Sequence, residues 1–224
     1  MISDEQLLRY SRQILIPEFD IQGQERLLEA TVMVVGLGGL GCPVALYLAA
    51  AGVGNLVLVD GDTVELSNLQ RQIAHGTGDI DRNKAQSAAA SIAQLNPEIN
   101  TQIVMCALEE KHMPALLKNI DVVVDATDNY PIRYSLNRAC IAAGVPLVSA
   151  AAIRTEGQLS VFDPVHGGPC YRCLYPLEGT TTALSCSENG VFAPLVGVLG
   201  SLQAMEVIKL ISGSGDPLRG RLLM

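Results

Sequence analysis

No charged residue lies between Glu29 and Asp60, and a stretch of this length is long enough to cross a bilayer. Glycines interrupt it, because four fall within residues 36–41 and Gly52 and Gly54 follow. A β-branched run, a glycine-rich turn, an alanine-rich helix and a second apolar strand explain these interruptions better than one membrane helix does. We therefore expect a buried strand–turn–helix–strand unit here, and no membrane partner.

Strands and helices continue to alternate along the chain. The pattern predicts helices over 84–95, 113–119 and 131–143, and strands over 102–106, 121–125, 145–151 and 158–162. Such alternation is typical of right-handed crossovers and of a parallel sheet covered on both faces. The predicted fold class is α/β: a Rossmann-like, doubly wound, mostly parallel sheet with an N-terminal helical arm and a C-terminal crossover segment.

The glycine-rich turn has the physical properties of a nucleotide site, since the N-terminus of the following helix attracts anionic oxygens. Gly36 permits the tight turn, Gly38 lets the backbone approach a phosphate, and Gly41 lets the helix pack closely. Asp60, at the end of the next strand, can accept hydrogen bonds from ribose hydroxyls. Taken alone, this pattern is typical of a dinucleotide such as NAD. The other interpretation is that these glycines serve only close packing.

Cations and a carboxylate near this turn favour a triphosphate instead. Arg71 and Lys84 follow the Asp60 strand, and Asp128 and Asn129 follow a later strand at the same expected edge of the sheet. A triphosphate carries more charge than a diphosphate, and it usually needs basic side chains plus a divalent ion held by a carboxylate. This arrangement predicts ATP with Mg²⁺.

Composition and cysteine usage exclude other classes. The chain has 224 residues and a formal net charge of −8, without a long Lys/Arg run, so no nucleic-acid partner is expected. Residues 1–17 have the pattern of a charged amphipathic helix rather than of a secretory leader, which predicts a cytoplasmic protein with reduced thiols. Cys42, Cys106 and Cys140 lie inside predicted elements and are expected to be core residues.

Several blocks, in order along the chain, resemble the ThiF/MoeB/HesA family, prokaryotic relatives of the ubiquitin-activating enzymes. The blocks are RYSRQI at 9–14, GLGGLG at 36–41, LSNLQRQ at 66–72, ATDN at 126–129, CYRC at 170–173 and LGSLQA at 199–204. The resemblance covers the whole chain as a single adenylation domain. Its expected parts are a helical arm at 1–30, a nucleotide-binding core at 31–162, a cysteine-containing mobile segment at 163–193, and a C-terminal helix and tail at 194–224.

The resemblance implies adenylation of a carboxylate. The substrate would be the C-terminal Gly-Gly of a small ubiquitin-like sulfur-carrier protein, whose carboxylate attacks the α-phosphate of ATP. The products would be pyrophosphate and an acyl-adenylate for later sulfur transfer. The resemblance further implies a homodimer and a sulfur-donor protein as partners.

Roles for individual residues follow by motif from the same resemblance. The implied catalytic residues are Arg71, Lys84, Asp128 as the Mg²⁺ ligand, and Arg12, which would reach the γ-phosphate from the partner subunit. The implied nucleotide contacts are Gly36, Gly38, Gly39, Gly41, Asp60, Asp62, Ser67, Asn68, Leu69, Gln70, Arg71, Lys84, Asp128 and Asn129.

Blocks within the family point to two branches. Residues 151–158 and 193–197 are similar to the molybdopterin branch, whereas residues 13–15 and 79–82 are similar to the thiamine branch. The expected carrier is therefore the small subunit of molybdopterin synthase, and the carrier of thiamine synthesis is the alternative.

Three further cysteines have roles implied by the resemblance. Cys186 matches a position where relatives carry a cysteine for sulfur transfer, and an incidental loop thiol is the alternative. Cys170 and Cys173 resemble half of a structural zinc site, but the family's second pair would fall after Met224. We therefore do not expect tight zinc binding, unless another ligand such as His166 completes the site.

Two other function classes stay open at this point. A nicotinamide-dependent oxidoreductase would use the same glycine turn, but His75, His112 and His166 lie in turn-like or exposed settings, so no catalytic histidine stands out. The second class is a non-catalytic scaffold that binds a ubiquitin-like partner. The basic and acidic side chains that ATP needs are all present, which argues against a scaffold.

Overall fold

The structure, a computed structural model, describes residues 2–106, 108–176 and 190–224. Its strands are β1 (Thr31–Val35), β2 (Asn55–Val59), β3 (Asn100–Val104), β4 (Val122–Asp125), β5 (Leu147–Ile153), β6 (Glu156–Phe162) and β7 (Leu222–Leu223). They form one sheet in the order β3-β2-β1-β4-β5-β6-β7. The first five strands pair in parallel, whereas β6 and β7 are antiparallel. The predicted mostly parallel sheet is confirmed.

Strand order reverses next to β1. The chain steps from β1 outward to β2 and β3, then returns to place β4 and β5 on the other side of β1. In open α/β sheets, ligands bind outside the carboxyl ends of the strands at such a switch point. The topology therefore places the site between β1 and β4.

Helices cover both faces of the sheet. They are α1 (Asp4–Arg9), α2 (Ser11–Ile14), α3 (Asp20–Glu29), α4 (Gly41–Ala51), α5 (Lys84–Leu95), α6 (Met113–Leu116), α7 (Tyr130–Ala143), α8 (Tyr171–Leu174) and α9 (Ala193–Ser212). Short 3₁₀ turns span Leu66–Asn68, Thr77–Asp79, Glu110–His112 and Pro164–His166.

Alternate residues of β1 contribute to two hydrophobic cores. Val32 and Val34 lie in one core with residues of α4, α5 and α9, whereas Met33 and Val35 lie in a second core with residues of α6 and α7. Successive Cβ atoms of a strand point to opposite faces, so a strand buried on both faces must be apolar throughout. This requirement explains the uncharged sequence of β1.

The N-terminal arm differs from the single helix expected up to Pro17. Ser3 caps α1 in a capping box, but α1 ends at Arg9, and α2 and α3 follow. The Tyr10 side chain is buried, and its hydroxyl oxygen accepts a hydrogen bond from Asn96 Nδ2 at 2.9 Å. This inward contact coincides with the break in the helix.

Strand boundaries also differ from the prediction, as β3 and β5 illustrate. β3 lies two residues earlier than expected, because its pairing with β2 runs from Asn100 to Val104. β5 extends to Ile153 rather than residue 151, because the antiparallel hairpin pairs Ile153 with Glu156 of β6. Pairing partners set both boundaries, and local sequence does not encode them.

Among the described residues, α9 is long and apolar enough to cross a membrane by length and composition. This helix packs against α3, α4 and the β4–β6 part of the sheet. Its residues Val196, Leu199, Ala204 and Val207 are buried in the first core. Core packing therefore accounts for its apolar sequence.

Gly41→Ala is expected to lower the free energy of unfolding by about 3 kcal/mol, because a Cβ at Gly41 would collide with the carbonyl oxygen of Gly36. Urea denaturation measures this change. Gly197→Ala in α9 is the matched control, since a Cβ there has no atom within 4 Å in the described structure. The control should be neutral or stabilising by up to about 1 kcal/mol. Equal stabilities of the two variants would contradict the packing argument.

Candidate active site

A cleft of about 680 Å³ opens at the carboxyl ends of β1, β2 and β4, a volume within the range of small-molecule sites. It lies where the reversal of strand order predicts a ligand. Most of the predicted nucleotide-binding residues line it, namely Gly36, Gly38, Gly39, Asp60, Asp62, Asn68, Arg71, Lys84, Asp128 and Asn129.

The glycine-rich turn forms one wall of the cleft. Gly36 has φ +89°, a conformation that favours glycine, and a Cβ there would lie 2.8 Å from the Ala126 carbonyl oxygen. Gly41 begins α4 in direct contact with the Gly36 carbonyl. The N-terminus of α4 directs the positive end of the helix dipole toward the cleft, although the Cys42 N–H already donates to the Gly38 carbonyl oxygen at 3.0 Å.

Asp60 stabilises the turn and remains available to a ligand. Its Oδ2 accepts a hydrogen bond from the Leu37 N–H at 2.7 Å, and its Oδ1 accepts one from the Asp62 N–H at 2.8 Å. Burial raises the pKa of Asp60, although these two backbone donors and Lys84 oppose the shift. Each carboxylate oxygen has a second lone pair, so ribose hydroxyls can still bind.

Lys84 is a buried cation of the cleft. It begins α5, is 8% exposed, and its Nζ donates to Oδ2 of the exposed Asp62 at 3.0 Å. An ammonium group has three donors, and the described residues provide a partner for one of them. The other two can bind phosphate oxygens.

Arg71 is the second cation, and a 3₁₀ turn positions it. Its Nη1 donates to the Ser67 carbonyl oxygen at 3.1 Å. The Asn68 side chain stabilises the same turn by accepting from the Glu65 N–H at 3.2 Å. The guanidinium has five donors, so most of them remain for a ligand.

Asp128 and Asn129 lie on the opposite wall, after β4. Asn129 Oδ1 accepts from the Ile132 N–H at 3.2 Å and caps α7. The Asp128 carboxylate is exposed in the cleft, and no group in the described part of the chain donates to it. A free carboxylate that lines the same cleft as Arg71 and Lys84 fits a ligand of a phosphate-bound Mg²⁺ ion.

Some predicted site residues lie elsewhere. Gly41, Ser67, Leu69 and Gln70 do not line the cleft of the described structure. Arg12 is exposed on α2, and it too is outside the cleft of its own chain. Cys186 lies outside the described residues, and its role stays a prediction.

A buried ion pair that the sequence pattern does not predict lies behind the Asp128 loop. Arg133 Nε lies 3.6 Å from Asp125 Oδ2, and both side chains are buried. Burial disfavours the charged guanidinium, but Asp125 together with Tyr171 and Tyr130 outweighs that effect, so the pKa of Arg133 is raised. The sequence does contain one indication of this pair: Asp125 is an acidic residue at the end of a buried strand of valines, where a carboxylate needs a cationic partner.

This pair holds the backbone that carries Asp128. Arg133 donates to the carbonyl oxygens of Thr127 and Ala150. Asp125 accepts from the Thr127 hydroxyl at 2.7 Å and from the Ser149 hydroxyl at 2.6 Å. The loop between β4 and α7 is therefore fixed from inside the protein.

One prediction about burial is wrong. Cys106 is exposed and lines the cleft, because β3 ends at Val104 and the chain leaves the sheet before Cys106. His75, for which the sequence predicts a turn-like or exposed setting, directly follows the turn at residues 73–74 and is buried. Cys42 and Cys140 are core residues as predicted, and burial raises the pKa of each thiol to about 12.

The sulfur atoms of Cys170 and Cys173 lie 3.6 Å apart. Within residues 2–106, 108–176 and 190–224, no three His, Cys, Asp or Glu side chains form a group that could hold a metal. His166, the suggested additional ligand, contacts Asp163 Oδ1 at 2.8 Å instead. The zinc prediction is not tested by this arrangement.

Known proteins similar to this chain include named enzymes. The model of the ThiF family matches residues 10–224. The molybdopterin-synthase adenylyltransferase of Escherichia coli K12 is 52% identical over 223 residues, which cover 100% of this chain and 89% of the relative. The adenylyltransferase and sulfurtransferase MOCS3 of Mus musculus is 49% identical, and this chain spans 48% of its length.

Solved structures share the fold. The structure of E. coli MccB with ATP has a TM-score of 0.78 and 27% identity, covering 94% of this chain and 65% of MccB. The structure of PaaA has a TM-score of 0.83 and 24% identity, covering 99% of this chain and 70% of PaaA, and is a likeness of fold alone.

Arg133→Met is expected to lower the free energy of unfolding by about 3–5 kcal/mol, because it leaves the Asp125 carboxylate buried without its cation. Urea denaturation followed by circular dichroism measures the change. The double variant Asp125→Asn/Arg133→Met removes both charges and should recover much of the loss. A single variant as stable as the wild type would show that the pair does not hold the loop.

Proposed function

This chain belongs to the ThiF family, and from that premise we propose that it uses ATP to adenylate the C-terminal carboxylate of a small ubiquitin-like sulfur-carrier protein. The observation that carries the proposal is the cleft, where Arg71, Lys84 and Asp128 converge beside a glycine-rich helix N-terminus. The chain is an adenylyltransferase, as the names of relatives at about half identity indicate. Those names remove the support for an oxidoreductase.

The reaction is a displacement at phosphorus. An oxygen of the carrier's terminal carboxylate attacks the α-phosphorus of ATP, a new P–O bond forms, and the bond to the bridging oxygen of the β-phosphate breaks. Pyrophosphate leaves with that oxygen, and the carrier keeps AMP as a mixed anhydride. A carboxylate is a poor acyl donor, whereas this anhydride has a good leaving group that sulfur can displace.

The chain's own groups would position ATP and stabilise its charge. The α4 N-terminus and the donors of Arg71 and Lys84 would bind phosphate oxygens, and Asp60 would bind the ribose. Asp128 would hold Mg²⁺, which neutralises phosphate charge when bound. Such preorganised charges act mainly on the transferring phosphate, where negative charge is concentrated.

Relatives favour the molybdopterin branch for the carrier. Three bacterial relatives, which are 48–52% identical to this chain, carry the name molybdopterin-synthase adenylyltransferase. We therefore propose the small subunit of molybdopterin synthase as the carrier. A later step would transfer sulfur from a donor protein, in the cytoplasm, and Cys186 is the candidate thiol for it.

Arg71→Ala and Asp128→Asn are each expected to slow ATP–pyrophosphate exchange by roughly a hundred- to a thousandfold, because each removes charge stabilisation at the phosphates. Exchange is measured with a carrier of the molybdopterin type, one of the thiamine type, and each carrier without its last glycine. Lys118→Ala, an exposed cation outside the cleft, is the control with unchanged exchange. Near-normal exchange in either cleft variant would refute the assignment.

Arg12 is proposed to act from the partner subunit of a homodimer, because it is exposed and outside its own cleft. Arg12→Ala and Arg71→Ala should each be inactive alone. A mixed dimer has one intact site, because the cleft of the Arg12→Ala chain keeps its own Arg71 and receives Arg12 from the Arg71→Ala chain. The other site lacks both arginines. Random mixing should restore about a quarter of wild-type exchange. No recovery, with subunit exchange verified by mass, would place Arg12 outside the partner's site.

A further inference from the structure

His75 is a buried side chain that the proposed reaction does not use. It is 7% exposed, and it lies behind the glycine-rich turn without lining the cleft. A buried imidazole needs hydrogen-bond partners, and the identity of these partners indicates what the side chain does.

One ring nitrogen of His75 contacts the turn. Nε2 lies 3.0 Å from the Leu37 carbonyl oxygen. A carbonyl oxygen only accepts, so Nε2 carries the hydrogen and donates. The Cys42 thiol donates to the same oxygen at 3.3 Å. Because the Leu37 N–H donates to Asp60, both polar groups of Leu37 are held.

The other ring nitrogen contacts α5. Nδ1 lies 2.8 Å from the Ser87 hydroxyl oxygen. In a neutral imidazole with hydrogen on Nε2, Nδ1 is an acceptor, so the Ser87 hydroxyl donates to it. Ser87 lies three residues after Lys84, on the same side of the helix. His75 therefore bridges the turn and the helix that carries Lys84.

The surroundings keep this tautomer in place. Burial lowers the pKa of His75, and Lys84 lowers it further, whereas the Leu37 carbonyl, Asp79 and Asp60 oppose the shift. The net direction is down, so the imidazole is neutral at pH 7 and Nδ1 keeps its acceptor role.

We propose that His75 is a positioning residue for ATP: it holds the Leu37 carbonyl and Ser87 at a fixed separation, so that the turn and Lys84 bind the same triphosphate. The inference rests on the proposed function. It adds a residue without contact to the nucleotide, and it explains why a polar group is buried beneath a loop of glycines.

Two substitutions separate the two contacts. The amide nitrogen of His75→Gln can occupy the place of Nε2 and donate to Leu37, whereas the shorter amide of His75→Asn reaches only the place of Nδ1. His75→Asn should raise the KM for ATP in pyrophosphate exchange about tenfold, the effect of one lost buried hydrogen bond at the binding surface. His75→Gln keeps the Leu37 contact but loses the Ser87 contact, so it should raise the KM for ATP only about threefold, and the KM for the carrier should not change in either variant.

His112→Asn is the matched control, because His112 is exposed in the Glu110–His112 turn. This control should have the ATP KM of the wild type. All assays are run well below the melting temperature of each variant. An unchanged KM for ATP in His75→Asn, or equal increases in the Asn and Gln variants, would show that His75 has only a structural role.

Ser87→Ala tests the link to α5 and keeps the imidazole, which covers the case in which His75→Asn does not fold. It should raise the KM for ATP about threefold, with the carrier KM unchanged. An unchanged ATP KM in this variant would overturn the bridge between the turn and Lys84.

Calorimetric titration with ATP, without carrier, separates this inference from the proposed function. A wild-type protein that binds ATP but gives no exchange with either carrier would refute the proposed function. The ratio of ATP dissociation constants between His75→Asn and His75→Gln would then still decide whether His75 positions the turn.

Discussion

The close approach of α4 to the glycine-rich turn is the constraint on which the site depends. Gly41 lies against the Gly36 carbonyl, and Gly36 in turn lies against the Ala126 backbone at the end of β4. Three backbone segments therefore meet without side chains between them. This contact aims the N-terminus of α4 at the cleft and brings the loops after β1 and β4 together. The reversal of strand order leaves a cleft at the carboxyl ends of β1 and β4, and the two glycines let the backbone of the turn line that cleft closely.

The electrostatics of the cleft distinguish cations that hold the protein together from cations that remain available. Arg133 is buried against Asp125, with its guanidinium also bound to carbonyl groups. Among the described residues, Lys84 and Arg71 each find a partner for one of their donors. In a chain with a net charge of −8, a triphosphate site must be built from such local cations. The acidic surface elsewhere does not weaken it much, because salt screens distant charges.

Much of the fold could be predicted because local pattern and burial agree. The apolar sequence of β1, the glycine turn and the helix over Lys84–Leu95 appear in the structure where the sequence predicts them. The boundaries of β3 and β5 could not be predicted, because pairing with β2 and β6 decides them. The prediction that Cys106 is a core residue is wrong for the same reason. Because β3 ends at Val104, Cys106 lies at the rim of the cleft.

The sequence by itself determined the kind of site: a glycine turn, an acid after the next strand, and basic and acidic side chains after later strands. These are local features, since each depends on residue type and on distance along the chain. Only the tertiary structure decided that Arg133 neutralises Asp125, and that His75 joins Leu37 to Ser87. Such contacts join residues from separate elements, and their energies depend on burial, which packing alone sets.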